Sequence, residues 1–192
     1  MATKLNQLDL EKYNLDKYTF EELISEKELN DRVKKLGQQI SKDYKGKIPV
    51  IIGVLNGSFL FMADLVRNLN IDFEVDFLKI SSYGNDTKSS GTVGLIKDIS
   101  ADIKDRDIIV VEDIVDTGLS VEFLYNRLNK EKPSSIRFVT CLKKPSKINI
   151  DGLVNYIGFN ISDSFVIGYG LDYAQKFRGL SSIYNLNPKK EN

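Results

Sequence analysis

Two features of the 192-residue sequence predict an α/β fold, a mostly parallel sheet flanked by helices. Three continuous apolar runs, IPVIIGVL (48–55), DIIVVE (107–112) and SIRFVTCL (135–142), have the character of strands covered on both faces. The first two are each followed by a turn and then by apolar residues at helical spacing, so the chain alternates strand and helix as crossover units do.

Ser25-Glu-Lys-Glu28 reads as a capping box, with Leu29, Val33, Leu36 and Ile40 on one face of a helix over about 25–44 that Gly46 ends. After the 48–55 strand, Asn56-Gly57-Ser58 turns into a helix marked by Phe59, Met62, Leu65, Val66 and Leu69. IDFEVDFLKI (71–80) alternates apolar and acidic residues, as a half-exposed or edge strand does. SYGNDTKSSGTVG (82–94) is too long for a tight turn and too polar for core, and suits either a hairpin tip or a functional lid.

Val121, Leu124, Tyr125 and Leu128 mark the helix after the 107–112 strand, and Pro133 closes that unit. Shorter strands follow the 135–142 run at 153–159 and 165–170. With no repeat, linker or low-complexity tract, residues 1–192 read as a single domain.

Lysine plus arginine equals aspartate plus glutamate at 27 each, so nothing in the net charge favours a nucleic-acid partner. Cys141, the single cysteine, lies in an apolar run and reads as a small buried hydrophobe in a reducing compartment. Neither a signal-peptide core nor a span of roughly 18 apolar residues is present, so a cytoplasmic protein away from membranes is expected. Histidine is absent altogether. Acid–base chemistry near neutrality then falls to Asp, Glu, Lys, Tyr or a metal-bound water, and His-dependent triads are excluded.

Neither common phosphate loop occurs: no Gly-x-x-x-x-Gly-Lys-Ser/Thr, and no Gly-x-Gly-x-x-Gly after a strand. The stretch IVVEDIVDTGLSVEFL (109–124) instead sets Glu112, Asp113 and Asp116 where a buried strand becomes a helix. Carboxylates resist burial and repel one another, so such a cluster calls for a cation or a hydroxyl-rich ligand. Asp116-Thr117-Gly118-Leu119-Ser120 combines two hydroxyls, a glycine and the amides of a helix start; it suits an anion cradle or a plain capping turn. A phosphate cradle beside two carboxylates at a strand's carboxyl end fits a phosphorylated sugar.

VVEDIVDTGLS resembles the phosphoribosyl-pyrophosphate signature of the type I phosphoribosyltransferases, the hypoxanthine-guanine branch in particular. GVLNGSFLFMADL (53–65), SSYGNDT (81–87), LKKPSK (142–147) and FVIGYGLDYAQKFRGL (165–180) are similar to further family segments, in family order. The resemblance implies that fold, with a small hood and a mobile loop, and transfer of a phosphoribosyl group to a 6-oxopurine with release of pyrophosphate. Glu112 and Asp113 would hold the ribose hydroxyls, directly or through Mg²⁺, and Asp116, Thr117, Gly118, Leu119 and Ser120 the 5′-phosphate. Asp116 would meet N7 of the purine and handle its proton.

Lys144, with Lys143 as a rival, matches the lysine facing the 6-oxo group; a donor-only side chain there selects against 6-amino bases. Phe165 matches the stacking aromatic, Val166 the main-chain contact to the purine edge, Asp172 a second Mg²⁺ ligand and Arg178, expected on a helix, a pyrophosphate contact. Leu55, Asn56 and Gly57 correspond to the pyrophosphate loop, where the family often has a cis peptide between the first two residues. Asn56 departs from the basic residue of many relatives. Ser82 and Tyr83 match the lid over the reacting centre. The family further implies a homodimer or homotetramer. The rivals are a pyrimidine-type enzyme or RNA-binding regulator of the same fold, and a nucleotide-binding regulator without catalysis.

Overall fold

The structure, a computed structural model, describes residues 15–83, 92–145, 150 and 152–189. In chain order the elements are β1 (Tyr18–Ile24), α1 (Glu26–Asp43), β2 (Val50–Leu55), α2 (Phe59–Arg67), β3 (Glu74–Tyr83), β4 (Thr92–Lys97), β5 (Asp107–Val115), α3 (Leu119–Asn129), β6 (Ser135–Lys143), β7 (Val154–Asn160), β8 (Val166–Ile167) and β9 (Ile183–Pro188). Six strands form one sheet in the order β4-β3-β2-β5-β6-β7, parallel except for the β3–β4 pair. A second, three-stranded antiparallel sheet has the order β1-β9-β8.

Alternation along the parallel strands divides the core. Ile51, Ile109, Val111, Val139 and Cys141 face α1 and α2, which bury Leu29, Val33, Leu36, Ile40, Phe61, Met62 and Leu65 against them. Val50, Ile52, Val54, Ile108, Val110 and Phe138 face the other way, onto Val121, Leu124 and Leu128 of α3. Both faces are apolar because helices cover both, as continuous hydrophobic strands require. The expected capping box starts α1: the Glu28 N–H donates to Ser25 Oγ at 3.3 Å and the Ser25 N–H donates to Glu28 Oε2 at 2.9 Å. Ile24, Val166, Tyr169, Leu171 and Ile183 of the second sheet and its loops join the first core cluster.

The sheet grows from β2 through β3 in one direction and from β5 through β6 in the other. Between β2 and β5 the following helices leave on opposite faces, opening a crevice at the carboxyl ends of these strands.

Three expectations need correction. The 71–80 segment is not an edge: β3 has β2 on one side and β4 on the other, and β4 takes the edge. Only Val166–Ile167 of the 165–170 segment is strand, and it lies in the second sheet. Arg178 stands in a loop, not a helix. Ser82 and Tyr83 end β3, their backbone paired with Val93 and Thr92, and residues 84–91 of the expected lid lie outside the described residues. No helix among the described residues is long and apolar enough to cross a membrane.

Candidate active site

β5 delivers the acidic pair. Glu112 is 4% exposed, and its Oε1 has no hydrogen-bond partner among the described residues. Burial, and then the charge of Asp113, push its carboxyl well above the ordinary range. Asp113 is partly exposed, and burial pushes it up to about 6. Its Oδ1 accepts from the Ile114 N–H at 2.9 Å, and this bond together with the Arg178 guanidinium opposes the shift, while Asp172 adds to it. Asp113 therefore shares one electrostatic environment with Asp172 and Arg178, which lie far from it in the chain.

The β2–α2 turn lies against this pair. The Leu55-Asn56 peptide is cis, as the resemblance implies, and the Asn56 side chain is exposed. A Cβ on Gly57 would overlap the Asp113 carboxylate, so only glycine lets the turn's backbone come this close. Ser58 is fully buried and donates to Val54 O at 2.6 Å, closing the turn. Gly170, at φ +100°, packs on the Gly57 carbonyl so tightly that a Cβ there would collide with it. No sequence motif assigns a role to Gly170; the one hint is the Gly168-Tyr169-Gly170 run, whose φ values are 97°, 50° and 100°.

α3 opens on Gly118 at φ 89°, an N-cap with no side chain and no side-chain hydrogen bond. The Leu119 N–H donates to Thr117 Oγ1 at 3.4 Å, a long bond, and Ser120 is the second residue of the helix. The glycine cap suits a cradle, since the N-cap position lays no side chain across the first-turn amides at the positive end of the helix and Thr117 engages the Leu119 amide only at long range.

Asp116 is exposed at the end of this turn. Its Oδ2 lies 3.5 Å from Nζ of Lys144, whose side chain is 10% exposed and whose N–H donates to Val115 O at 2.9 Å. It is Lys144, and not Lys143, whose amine reaches this place. Phe165 is 51% exposed, its ring meeting Tyr173 edge-on at a centroid distance of 6.0 Å, while the neighbouring Val166 is buried in β8. Asp172 pairs with Arg178 Nη2 at 2.7 Å and accepts from the Gln175 N–H at 2.8 Å; Arg178 also donates to Gly170 O at 2.7 Å.

Glu112, Asp113, Gly57, Gly170, Asp172 and Arg178 are thus interlinked, and Asp116 with Lys144 lies beside them at the ends of β5 and β6. The arrangement can accept hydrogen bonds from vicinal hydroxyls, bind an anion at a helix start and offer one donor-only amine to a flat polar ring. Among the described residues no three acidic, cysteine or histidine side chains converge on one point.

The model of the phosphoribosyl transferase domain matches residues 21–174. A hypoxanthine-guanine phosphoribosyltransferase of Bacillus subtilis strain 168 is 45% identical over 166 residues, spanning 86% of this chain and 92% of that one. A hypoxanthine phosphoribosyltransferase of Escherichia coli K12 is 43% identical over 169 residues, spanning 87% and 95%. Among solved structures, a hypoxanthine-guanine phosphoribosyltransferase of Bacillus anthracis superposes with a TM-score of 0.81 at 44% identity, covering 86% of this chain and 97% of that one. A hypoxanthine phosphoribosyltransferase of Staphylococcus aureus superposes with a TM-score of 0.84 at 37% identity, covering 94% and 97%. The fold, the site at the carboxyl end of β5 and these similarities lead to one conclusion: the chain belongs to the phosphoribosyltransferase family.

Proposed function

We propose that this enzyme serves purine salvage, transferring the 5-phosphoribosyl group from phosphoribosyl pyrophosphate to hypoxanthine or guanine and releasing pyrophosphate with IMP or GMP. The observation that carries the proposal is the buried, unpartnered oxygen of Glu112 beside Asp113, next to a glycine-capped helix start. The fold alone has no use for that pair; a ribose with vicinal hydroxyls does.

The ribose hydroxyls donate to Glu112 and Asp113, and the 5′-phosphate rests on the amides of Asp116 to Ser120 with the Thr117 and Ser120 hydroxyls. Pyrophosphate lies along Leu55, Asn56 and Gly57, with Arg178 supplying positive charge. The purine stacks on Phe165, meets the Val166 main chain at its edge and receives a hydrogen bond on its 6-oxo group from Lys144. N9 attacks the anomeric carbon as the bond to pyrophosphate breaks, and Asp116 takes the proton held at N7. Ser82 and Tyr83 belong to the segment that shields the developing oxocarbenium character from water.

Glu112 and Asp113, with Asp172 near the purine, would hold Mg²⁺, which when bound neutralises charge on the departing pyrophosphate. The residues fit it. Glu112 leaves an acceptor unfilled, and Mg²⁺ takes one or two carboxylates and completes its shell with substrate oxygens and water, so three converging protein ligands are not required. The buried unpaired Cys141 suits a reducing cytoplasm, and a homodimer or homotetramer is the proposed assembly, to be read by light scattering.

Pyrophosphate release is to be followed with phosphoribosyl pyrophosphate, Mg²⁺ and each of hypoxanthine, guanine, xanthine, adenine and uracil. Turnover with 6-oxopurines, lost on chelation, is expected; turnover with uracil alone would overturn the substrate class.

A further inference from the structure

We infer that Asp163, a residue with no assigned role, is a positioning residue for Lys144 and so takes part in choosing the 6-oxo base. The inference rests on Lys144 being the base-facing lysine. Its Nζ stands 3.5 Å from Asp116 Oδ2 and 3.5 Å from Asp163 Oδ1, while its side chain is 10% exposed. A nearly buried ammonium needs a carboxylate partner. Asp116 fills that place only while no base is bound, because its carboxylate is the group that turns to the purine N7. Once the base is in, Asp163 is the partner left to hold the amine toward the 6-oxo group.

The loop carrying Asp163 is built to keep it there. The Ile161 N–H donates to Lys143 O at 2.9 Å, the Ser164 hydroxyl to Asn185 Oδ1 at 2.9 Å, and the Leu186 N–H to Phe165 O at 2.9 Å. Asp163 is therefore the apex of a short connection tied to β6 on one side and β9 on the other, two residues before the stacking Phe165. Its side chain is 85% exposed, so the pair adds little to folding, and an Asn variant should fold normally.

Without Asp163 the amine retains, among the described residues, only Asp116 as a carboxylate partner, and both base contacts are drawn onto each other. Asp163→Asn should raise KM for hypoxanthine and guanine about fivefold, the upper range for a pair with one exposed partner, leaving KM for phosphoribosyl pyrophosphate and Tm unchanged. Asp163→Glu should recover most of the loss. In a Lys144→Met background, Asp163→Asn should add nothing. An unchanged purine KM in Asp163→Asn, or additive effects of the two substitutions, overturns the inference while Lys144→Met alone still raises purine KM. If Lys144→Met leaves purine KM unchanged, the base-facing role of Lys144 fails first, and the inference with it.

Discussion

The strands that carry Glu112 and lead into Lys144 begin beside a second polar cluster, and the two ends of the sheet differ in how their charges are met. At the amino end, Lys47 pairs with Asp107 at 2.9 Å, and the Tyr156 hydroxyl donates to Asp43 at 2.8 Å while accepting from Arg137 at 3.0 Å. Arg137 and Lys47 also flank the Tyr44 ring at 5.6 and 5.8 Å. Hydrogen bonds from Ser135 and Lys47 outweigh burial and hold Asp107 below its ordinary carboxylate range. The buried Tyr44 hydroxyl has no partner within hydrogen-bonding geometry among the described residues, but it is neutral, and its cost of about 1–3 kcal/mol is well below that of a buried unpaired charge. At the carboxyl end the carboxyls of Glu112 and Asp113 are pushed up instead. Charged groups that complete one another maintain a fold; charged groups left incomplete mark where a ligand completes them.

The largest effect expected at the incomplete end belongs to the reacting group. Asp116→Asn should lower turnover by about 10²–10⁴-fold, the range for loss of a positioned general base, with phosphoribosyl-pyrophosphate affinity nearly intact. Unchanged turnover, measured by pyrophosphate release, removes Asp116 from its role. Gly57→Ala comes next, because its Cβ would enter the Asp113 carboxylate. Displacement of either group by about an ångström should cost on the order of 100-fold in kcat/KM for the sugar donor. Wild-type kinetics would mean that the β2–α2 turn need not approach Asp113 this closely.

Much of this site is legible in the sequence, for a physical reason. Strands covered on both faces leave a continuous apolar run, and a carboxylate pair interrupting such a run at its end is a local signal. So is the Ser25–Glu28 box, whose partners are three residues apart. Residues joined by tertiary pairing leave no such trace. β1 and β9 meet across 168 residues at Thr19 and Asn187, and neither is apolar enough to announce itself. β4, a short edge with glycine and lysine among its six residues, is invisible for the same reason, and overlooking it makes β3 look like the edge. The Asp172–Arg178 pair, the packing of Gly170 on Gly57 and the approach of Asp163 to Lys144 depend on loop paths that periodicity does not encode.

The incomplete end should also show in stability. In the protein free of ligand and divalent cation, the Asp113 carboxyl is raised from 3.8 to about 6, so the folded state holds that proton more tightly than the unfolded chain. Its contribution to folding is present below 3.8 and is lost as pH rises through about 6. An asparagine cannot ionise. Asp113→Asn in chelator should therefore gain stability relative to wild type as pH climbs through that window, by on the order of 1–2 kcal/mol after screening, and level off above it. A gap in Tm between the two proteins that stays flat with pH would show that Asp113 is as well served as Asp107.

The smallest effect tests the complete end. Tyr156→Phe deletes the hydroxyl that links Asp43 and Arg137, but leaves those two charges 3.7 Å apart and partly exposed, free to close on each other or to take up water. The loss should be about 1 kcal/mol of folding stability, the net worth of a hydrogen bond whose partners can be rehydrated. Because the cluster sits at the opposite end of the strands from Glu112, KM for both substrates should stay at the wild-type value. A changed KM with normal stability would mean that the amino end communicates with the crevice, and that the pairing of its charges is no guide to a purely structural role.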